Sequence, residues 1–202
     1  FYKSVFPSFD AERFERLAEA FPIDRKMPIR RFSRGMKKQA AFWLALSMRP
    51  ELLVLDEPVD GLDPVMRRQV WSLLLSDVAE HGIGVLVSSH NLRELEDVCD
   101  NVGFIHNGRM LLERQLSELQ ENICKIQLVM PEGREIPAWL DVMHISGPGK
   151  LKTLIVRGSP EAVTERIERE GPLFVDAVPL TLEEIFIYEL GGEGREVRDI
   201  AL

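Results

Sequence analysis

Two adjacent carboxylates, Asp56 and Glu57, directly follow the apolar run 52–55. A short apolar run bounded by Pro50 and Pro58 is typical of a strand buried on both faces in a parallel sheet. Charge at the end of such a strand is costly unless a cation or a substrate meets it. Because open α/β sheets bind ligands at the carboxyl ends of their strands, the pair is a candidate for metal binding or acid–base chemistry. An ordinary acidic turn would explain Asp-Glu alone about as well.

Two further segments, one on each side of this strand, also carry residues that could do chemistry. Upstream, Ser33 stands at the start of an apolar helical pattern, and Gly35 follows it. A serine hydroxyl and backbone amides at a helix N-terminus favour anions, and a glycine lets the backbone approach them closely. Downstream, a second apolar run, 85–87, ends in two serines and His90. A lone histidine at a strand end is more often a satisfied polar group than a functional one.

Taken together and in this order, the three segments resemble motifs of the ATP-binding subunit of an ABC transporter, of the bacterial exporter type. They correspond to the signature motif at 32–36, the Walker B strand with its D-loop, and the switch histidine. Agreement of three ordered motifs arises by chance far less often than agreement of one. The resemblance implies that Asp56 holds Mg²⁺, that Glu57 is the general base on the attacking water, and that His90 contacts the γ-phosphate of ATP.

The resemblance also implies contacts to a second subunit, because in this family two subunits pair head to tail around ATP. Ser33, Arg34, Gly35 and Met36 would bind the nucleotide held by the partner's Walker motifs. Only the serine and the glycine match the usual Leu-Ser-Gly-Gly-Gln pattern. Asp63 matches the D-loop aspartate that reaches the partner subunit, and it serves equally well as a helix cap.

One expected motif does not occur in the sequence. No Gly-x-x-x-x-Gly-Lys-Ser/Thr phosphate loop is present in the 202 residues. The resemblance implies that this loop and the Q-loop glutamine precede Phe1, so we expect the chain to be the C-terminal part of a longer subunit that is inactive alone. Strand 83–88 would then expose an edge. The alternative is a natural short form that only dimerises with, or regulates, a full-length ATPase subunit.

The fold predicted for residues 1–120 is α/β, a partial P-loop NTPase (RecA-like) parallel sheet with a helical subdomain. The helical subdomain spans 1–50, and the core with the Walker B strand, D-loop and switch histidine spans 51–120. Asp10, Ser33, Asp63 and Asn91 are predicted helix caps. Asn107-Gly108 predicts a hairpin over 102–112.

A small α+β accessory domain is predicted for 121–190, followed by a flexible tail at 191–202. The predicted strands of this domain occupy 124–130, 142–145, 151–157 and 173–178. Its predicted helices occupy 160–170 and 182–190. Thr181 and Glu184 fit a capping box at the start of the last helix. This domain contains no recognisable catalytic set.

Composition limits the class of protein further. The net charge of −8 argues against nucleic acid as a partner. Cys99 and Cys124 form no close pair, which favours free thiols in a reducing compartment. No apolar run reaches the roughly 20 residues that span a bilayer. We therefore expect a cytoplasmic protein, held at the inner face of the membrane through a separate permease that determines the transported substrate.

Repair and translation ATPases share the motifs, but the heptad insertions or second cassette that mark them are not seen.

Overall fold

The computed structural model describes residues 1–191, with side chains described through residue 188. Contacts divide the chain into two compact units, residues 1–90 and the residues from 91 onward. The predicted domain boundary at residue 120 stays a prediction. Within the second unit, Arg93 pairs with Glu183 at 3.2 Å and the ring of Phe104 lies 4.5 Å from that of Phe186. These contacts connect the segment 91–120 to the accessory domain.

The first unit is built from helices around a two-stranded parallel sheet. Its elements are α1 (Tyr2–Val5), α2 (Ala11–Leu17), a 3-10 turn (Ile29–Arg31), α3 (Arg34–Ser47), β1 (Leu52–Asp56), α4 (Pro64–His81) and β2 (Gly84–Ser88). The caps predicted at Asp10, Ser33 and Asp63 are confirmed, because each accepts a hydrogen bond from a first-turn amide. The cap predicted at Asn91 is wrong, because that residue stands at the N-cap position without a side-chain cap hydrogen bond. Gly82 ends α4 in the left-handed conformation that favours glycine.

Aromatic stacking holds the helical part of this unit together. The rings of Phe14 and Trp43 stack at 4.5 Å, and the Trp43 indole donates to the Phe14 carbonyl. The Arg25 guanidinium lies over both rings. Arg13 forms a buried ion pair with Asp77, which connects α2 to α4. Contacts between residues 29 and 64 positions apart therefore join α2, α3 and α4 into one core.

Strand β1 differs from the sequence-based expectation. It pairs in parallel with β2 as predicted, with Asp56 opposite Ser88. However, burial alternates along it: Leu53 is 8% exposed, whereas Leu52 and Val54 are 60% and 68% exposed. The prediction that both faces are buried is therefore wrong for the described residues, because helices of this unit cover only one face. Strand β2 has a sheet neighbour on one side only in this part of the chain, as expected for an edge.

The second unit contains a hairpin and a four-stranded antiparallel sheet. Its elements are α5 (Leu92–Glu96), β3 (Asn101–His106), β4 (Arg109–Gln115), α6 (Leu116–Asn122), β5 (Ile123–Val129), β6 (Val142–Ser146), β7 (Lys152–Arg157), α7 (Pro160–Glu168), β8 (Phe174–Val178) and α8 (Leu182–Gly191). The sheet order is β6-β7-β5-β8. The predicted hairpin and the predicted accessory strands and helices are confirmed within a few residues.

Helix α8 begins with the predicted capping box. The Thr181 hydroxyl accepts from the Glu184 amide at 3.2 Å, and the Glu184 carboxylate accepts from the Thr181 amide at 3.0 Å. Lys125 donates to the same carboxylate at 2.8 Å. Burial raises the pKa of Glu184, but the bonds from Lys125 and Thr181 outweigh it and the net pKa is lowered. Apart from Gly191, which ends α8, the predicted tail lies outside the described residues.

Candidate active site

The two adjacent carboxylates stand at the carboxyl end of the parallel sheet. Asp56 ends β1, and its Oδ1 accepts a hydrogen bond from the Ser88 hydroxyl at the end of β2. The Asp56 residue is exposed. One exposed carboxylate suits Mg²⁺, which is usually held by one or two carboxylates together with waters and substrate phosphates. In residues 1–191, no cluster of three or more His, Cys, Asp or Glu side chains could hold a metal on its own.

Glu57 has an unusual backbone conformation, with φ at +44°. A non-glycine residue rarely adopts the left-handed region, and it stays there only when its surroundings hold it. The Glu57 amide donates to the Ser88 carbonyl at 2.9 Å. The Lys38 ammonium donates to the Glu57 carbonyl at 2.5 Å. Both backbone groups of this residue are therefore held by other elements.

The Glu57 carboxylate faces the residues that follow β2. Its Oε1 lies 2.7 Å from the His90 Nδ1 and accepts the His90 amide at 3.0 Å. The Ser89 hydroxyl contacts Oε2 at 3.4 Å. The carboxylate is about one-third exposed, whereas the His90 side chain is 79% exposed. The carboxylate is thus oriented by several contacts, and the histidine beside it is open to solvent.

The start of α3 forms a second candidate site. The Ser33 hydroxyl accepts the Met36 amide at 3.2 Å. Because first-turn amides lack intrahelical acceptors, those of Arg34 and Gly35 are the ones suited to an anion. The Met36 side chain packs against the apolar core, so only its backbone belongs to this turn.

The α3 turn contacts the loop that follows β1. Arg34 pairs with Asp60 at 2.7 Å, and Lys38 donates to the Asp60 carbonyl at 2.7 Å. A Cβ on Gly35 would lie 3.4 Å from the Gly61 carbonyl oxygen, at the near end of ordinary van der Waals contact. Position 35 therefore lies directly against the loop that follows β1.

Asp63 caps α4. Its Oδ1 accepts the amides of Val65 and Met66 at 3.1 and 3.0 Å, and Pro64 occupies the first helical position. The residue is exposed, so one carboxylate oxygen can cap the helix while the other meets solvent or a partner.

Sequence reasoning did not single out three residues that hold this site: Lys38, Ser88 and Ser89. The two serines could have been found, because they end the strand paired with β1 and thus lie beside Asp56 and Glu57. Lys38 had no such signal. It belongs to a run of basic residues at 25–38, for which a solvated face or attraction to phosphates are the two interpretations. Neither predicts a bond to a backbone carbonyl, and only the packing of α3 directs the ammonium there.

Comparisons with known proteins bear on the family and the fold of the chain. The family model described as "AAA domain, putative AbiEii toxin, Type IV TA system" matches residues 6–96. The chain is 30% identical over 194 residues to the ABC transporter ATP-binding protein YtrB of Bacillus subtilis, covering 96% of this chain and 66% of YtrB. It is 40% identical over 98 residues to the bacitracin transport ATP-binding protein BcrA of Bacillus licheniformis, covering 48% of this chain and 32% of BcrA.

A solved structure of the ATP-binding subunit of an ABC transporter matches 55% of this chain and 48% of its own length, with 29% identity and a TM-score of 0.50. The mixed α/β architecture is that of a P-loop NTPase. The chain belongs to the family of ABC transporter ATP-binding proteins. It spans less than two thirds of the length of many of the relatives it matches, including BcrA.

In the described part of the chain, no helix is both long and apolar enough to cross a membrane.

Proposed function

We propose that the chain carries the catalytic carboxylate and switch histidine of an ATP hydrolase that powers export through a separate membrane permease. The observation that carries the proposal is the 2.7 Å contact between Glu57 and His90 at the carboxyl end of the parallel sheet. A general base must be oriented and within reach of the water that it deprotonates. The contacts to Glu57 orient its carboxylate in this way.

Each residue has a distinct role in the proposed reaction. Glu57 accepts the proton of the attacking water, and His90 steadies the carboxylate and meets the γ-phosphate. Asp56 would hold Mg²⁺, and the hydrogen bond from Ser88 would orient its carboxylate. When bound, Mg²⁺ neutralises charge that develops on the β- and γ-phosphates.

The α3 turn serves the other nucleotide of a head-to-tail dimer. Ser33, Arg34, Gly35 and Met36 present the helix N-terminus to that ATP, and Asp63 faces the partner subunit. The subunit lies in the cytoplasm, peripheral to the inner face of the membrane through its permease. The relatives named for transport support this assignment. The net charge of −8 argues against nucleic acid as a partner.

Residues 1–202 alone are proposed to be inactive, because their sequence contains no phosphate loop. That loop supplies most of the amides and the lysine that cradle the phosphates. The same observation favours a second candidate function, a non-catalytic module that dimerises with or regulates a full-length ATPase subunit.

The test compares Mg²⁺-dependent ATP turnover by residues 1–202 and by the complete polypeptide encoded by the gene. We expect none from residues 1–202. In the complete polypeptide we expect turnover that Glu57→Gln lowers by about 100-fold or more. The control Glu51→Gln removes an exposed carboxylate at the opposite end of β1 and should leave the rate unchanged.

Three results would overturn parts of this proposal. Wild-type turnover by Glu57→Gln would exclude Glu57 as the base. Turnover by residues 1–202 alone would exclude the need for an added phosphate loop. A complete polypeptide that is inactive, yet changes the rate of a full-length ATPase subunit from the same cell, would establish the regulatory module instead.

A further inference from the structure

Lys38 places a partly buried ammonium between two segments of the chain. It lies one turn into α3, and its Nζ donates to the carbonyl oxygens of Glu57 at 2.5 Å and Asp60 at 2.7 Å. Removing an ammonium from water is costly unless strong hydrogen bonds replace those that water made. The two carbonyls supply such bonds, so the ammonium joins the start of α3 to the loop after β1.

The first of these acceptors is the carbonyl of Glu57, the residue with the left-handed backbone. Because the carbonyl of Glu57 is held by Lys38 and its amide by the Ser88 carbonyl, the peptide groups on both sides of its Cα are fixed. The direction of the Cα–Cβ bond follows from the orientation of those peptide groups. A change at Lys38 therefore alters where the Glu57 carboxylate points, although Lys38 does not touch that carboxylate.

We propose that Lys38 is a positioning residue for Glu57, which holds the carboxylate against His90 by fixing the backbone of residues 57–60. This inference rests on the proposed role of Glu57 as general base. It goes beyond that role because it assigns a function to a residue outside the three motifs. Arg34, which pairs with Asp60, supports the same loop from the neighbouring turn.

Lys37 offers a matched control. It is the preceding residue of the same helix turn and carries the same charge, but it is exposed. Lys37→Met removes an exposed positive charge next to Lys38 without removing the bonds to residues 57 and 60. Lys38→Met removes both the charge and the bonds, whereas Lys38→Arg keeps two donors for the same carbonyls.

The first readout is steady-state ATP turnover by the complete polypeptide. We expect Lys38→Met to lower kcat by about 10- to 100-fold, the loss typical of a small misplacement of a catalytic group. The KM for MgATP should change less than about twofold, because Lys38 does not contact the nucleotide. Lys38→Arg should recover most of the loss, and Lys37→Met should match wild type. A wild-type kcat in Lys38→Met, or a raised KM with unchanged kcat, would contradict the proposal.

The second readout does not need turnover. In residues 1–202, the His90 amide donates to the Glu57 carboxylate, so its hydrogen exchange reports the position of that carboxylate. We expect Lys38→Met to speed this exchange about tenfold or more while Lys37→Met does not. Unchanged exchange would refute the positioning role. If Lys38→Met fails to fold, Lys38→Gln takes its place, because glutamine keeps an amide donor. We then expect a smaller increase in the exchange rate of the His90 amide, and an unchanged rate refutes the positioning role.

Parallel assays of Glu57→Gln separate this inference from the proposed function. If Glu57→Gln keeps wild-type turnover, the proposed function fails whatever Lys38 does. If Glu57→Gln abolishes turnover while Lys38→Met changes neither kcat nor exchange, only the inference about Lys38 fails.

Discussion

The His90 Nδ1 lies 2.7 Å from the Glu57 Oε1, although 33 positions separate the two residues in the sequence. Parallel pairing of β1 and β2 brings them together, because Asp56 and Ser88 end their strands side by side. The left-handed backbone of Glu57 then directs its side chain towards the residues that follow β2. This contact orients the Glu57 carboxylate, as the proposed role of Glu57 as general base requires.

Removal of the His90 ring tests whether this contact matters for turnover. In the complete polypeptide, we expect His90→Ala to lower kcat by about 100-fold or more, because the ring's contact with the Glu57 carboxylate and its proposed contact with the γ-phosphate are both lost. His106→Ala is the control, since that histidine is exposed on the β3–β4 hairpin. Initial rates of phosphate release measure the effect. Equal rates for the two variants would show that His90 is only a polar strand end.

The two roles assigned to Asp63 can be separated by two substitutions. Asp63→Ala removes the cap of α4 and should cost about 1 kcal/mol in the free energy of unfolding, whereas Asp63→Asn retains a capping side chain and should cost a few tenths at most. If the charge also reaches a partner subunit, Asp63→Asn should still weaken ATP-dependent dimerisation. Urea unfolding and sedimentation measure the two effects. An Asp63→Asn variant with full dimerisation would leave Asp63 with the cap alone.

The ion pair between Arg13 and Asp77 should contribute strongly to the stability of the first unit. Asp77 is 5% exposed, so Arg13→Met would leave a buried carboxylate without its partner. We expect a loss of about 3–5 kcal/mol in the free energy of unfolding. The exposed pair of Arg16 with Glu12 is the control, and Arg16→Met should cost less than about 1 kcal/mol. Similar losses in urea unfolding for both variants would contradict this difference.

The Cys124 thiol predicts a dependence of stability on alkaline pH. Burial, with a smaller contribution from Glu161, raises its pKa from 9.0 to about 11. The folded state therefore keeps its proton where the unfolded state releases it. This stabilisation is complete below about pH 9 and is lost as pH rises towards 11.

Cys124→Ala should remove this pH dependence. Below about pH 9, the difference in the free energy of unfolding between wild type and variant should be constant, and it should shrink between about pH 9 and 11. Urea unfolding of both proteins at several pH values measures it. A difference that stays constant through about pH 11 would show that the thiol keeps its ordinary pKa in the folded state.

Much of the local structure was predictable, because its causes lie within a few residues. Asp10, Ser33 and Asp63 cap helices because a short polar side chain reaches amides two or three positions ahead. Asn107-Gly108 makes a hairpin because both residues accept a positive φ. The parallel pairing of β1 and β2 followed from two short apolar runs joined by a helix.

The burial of β1 was not predictable in the same way. An apolar run is compatible with one or two covered faces, and which of these holds depends on the elements packed against the sheet. In the described residues, only the face that includes Leu53 is covered, while Leu52 and Val54 are exposed. Residue type alone does not contain that information.

The sequence by itself determined the order of the motifs, the helix caps, the hairpin and the succession of strands and helices, since each depends on neighbouring residues. Only the tertiary structure decided that Lys38 donates a hydrogen bond to the Glu57 carbonyl and that the Glu57 carboxylate contacts His90. The physical reason is that a charged or polar side chain has many partners within its reach along an unfolded chain. The packing of α3 and the pairing of the two strands select one of them.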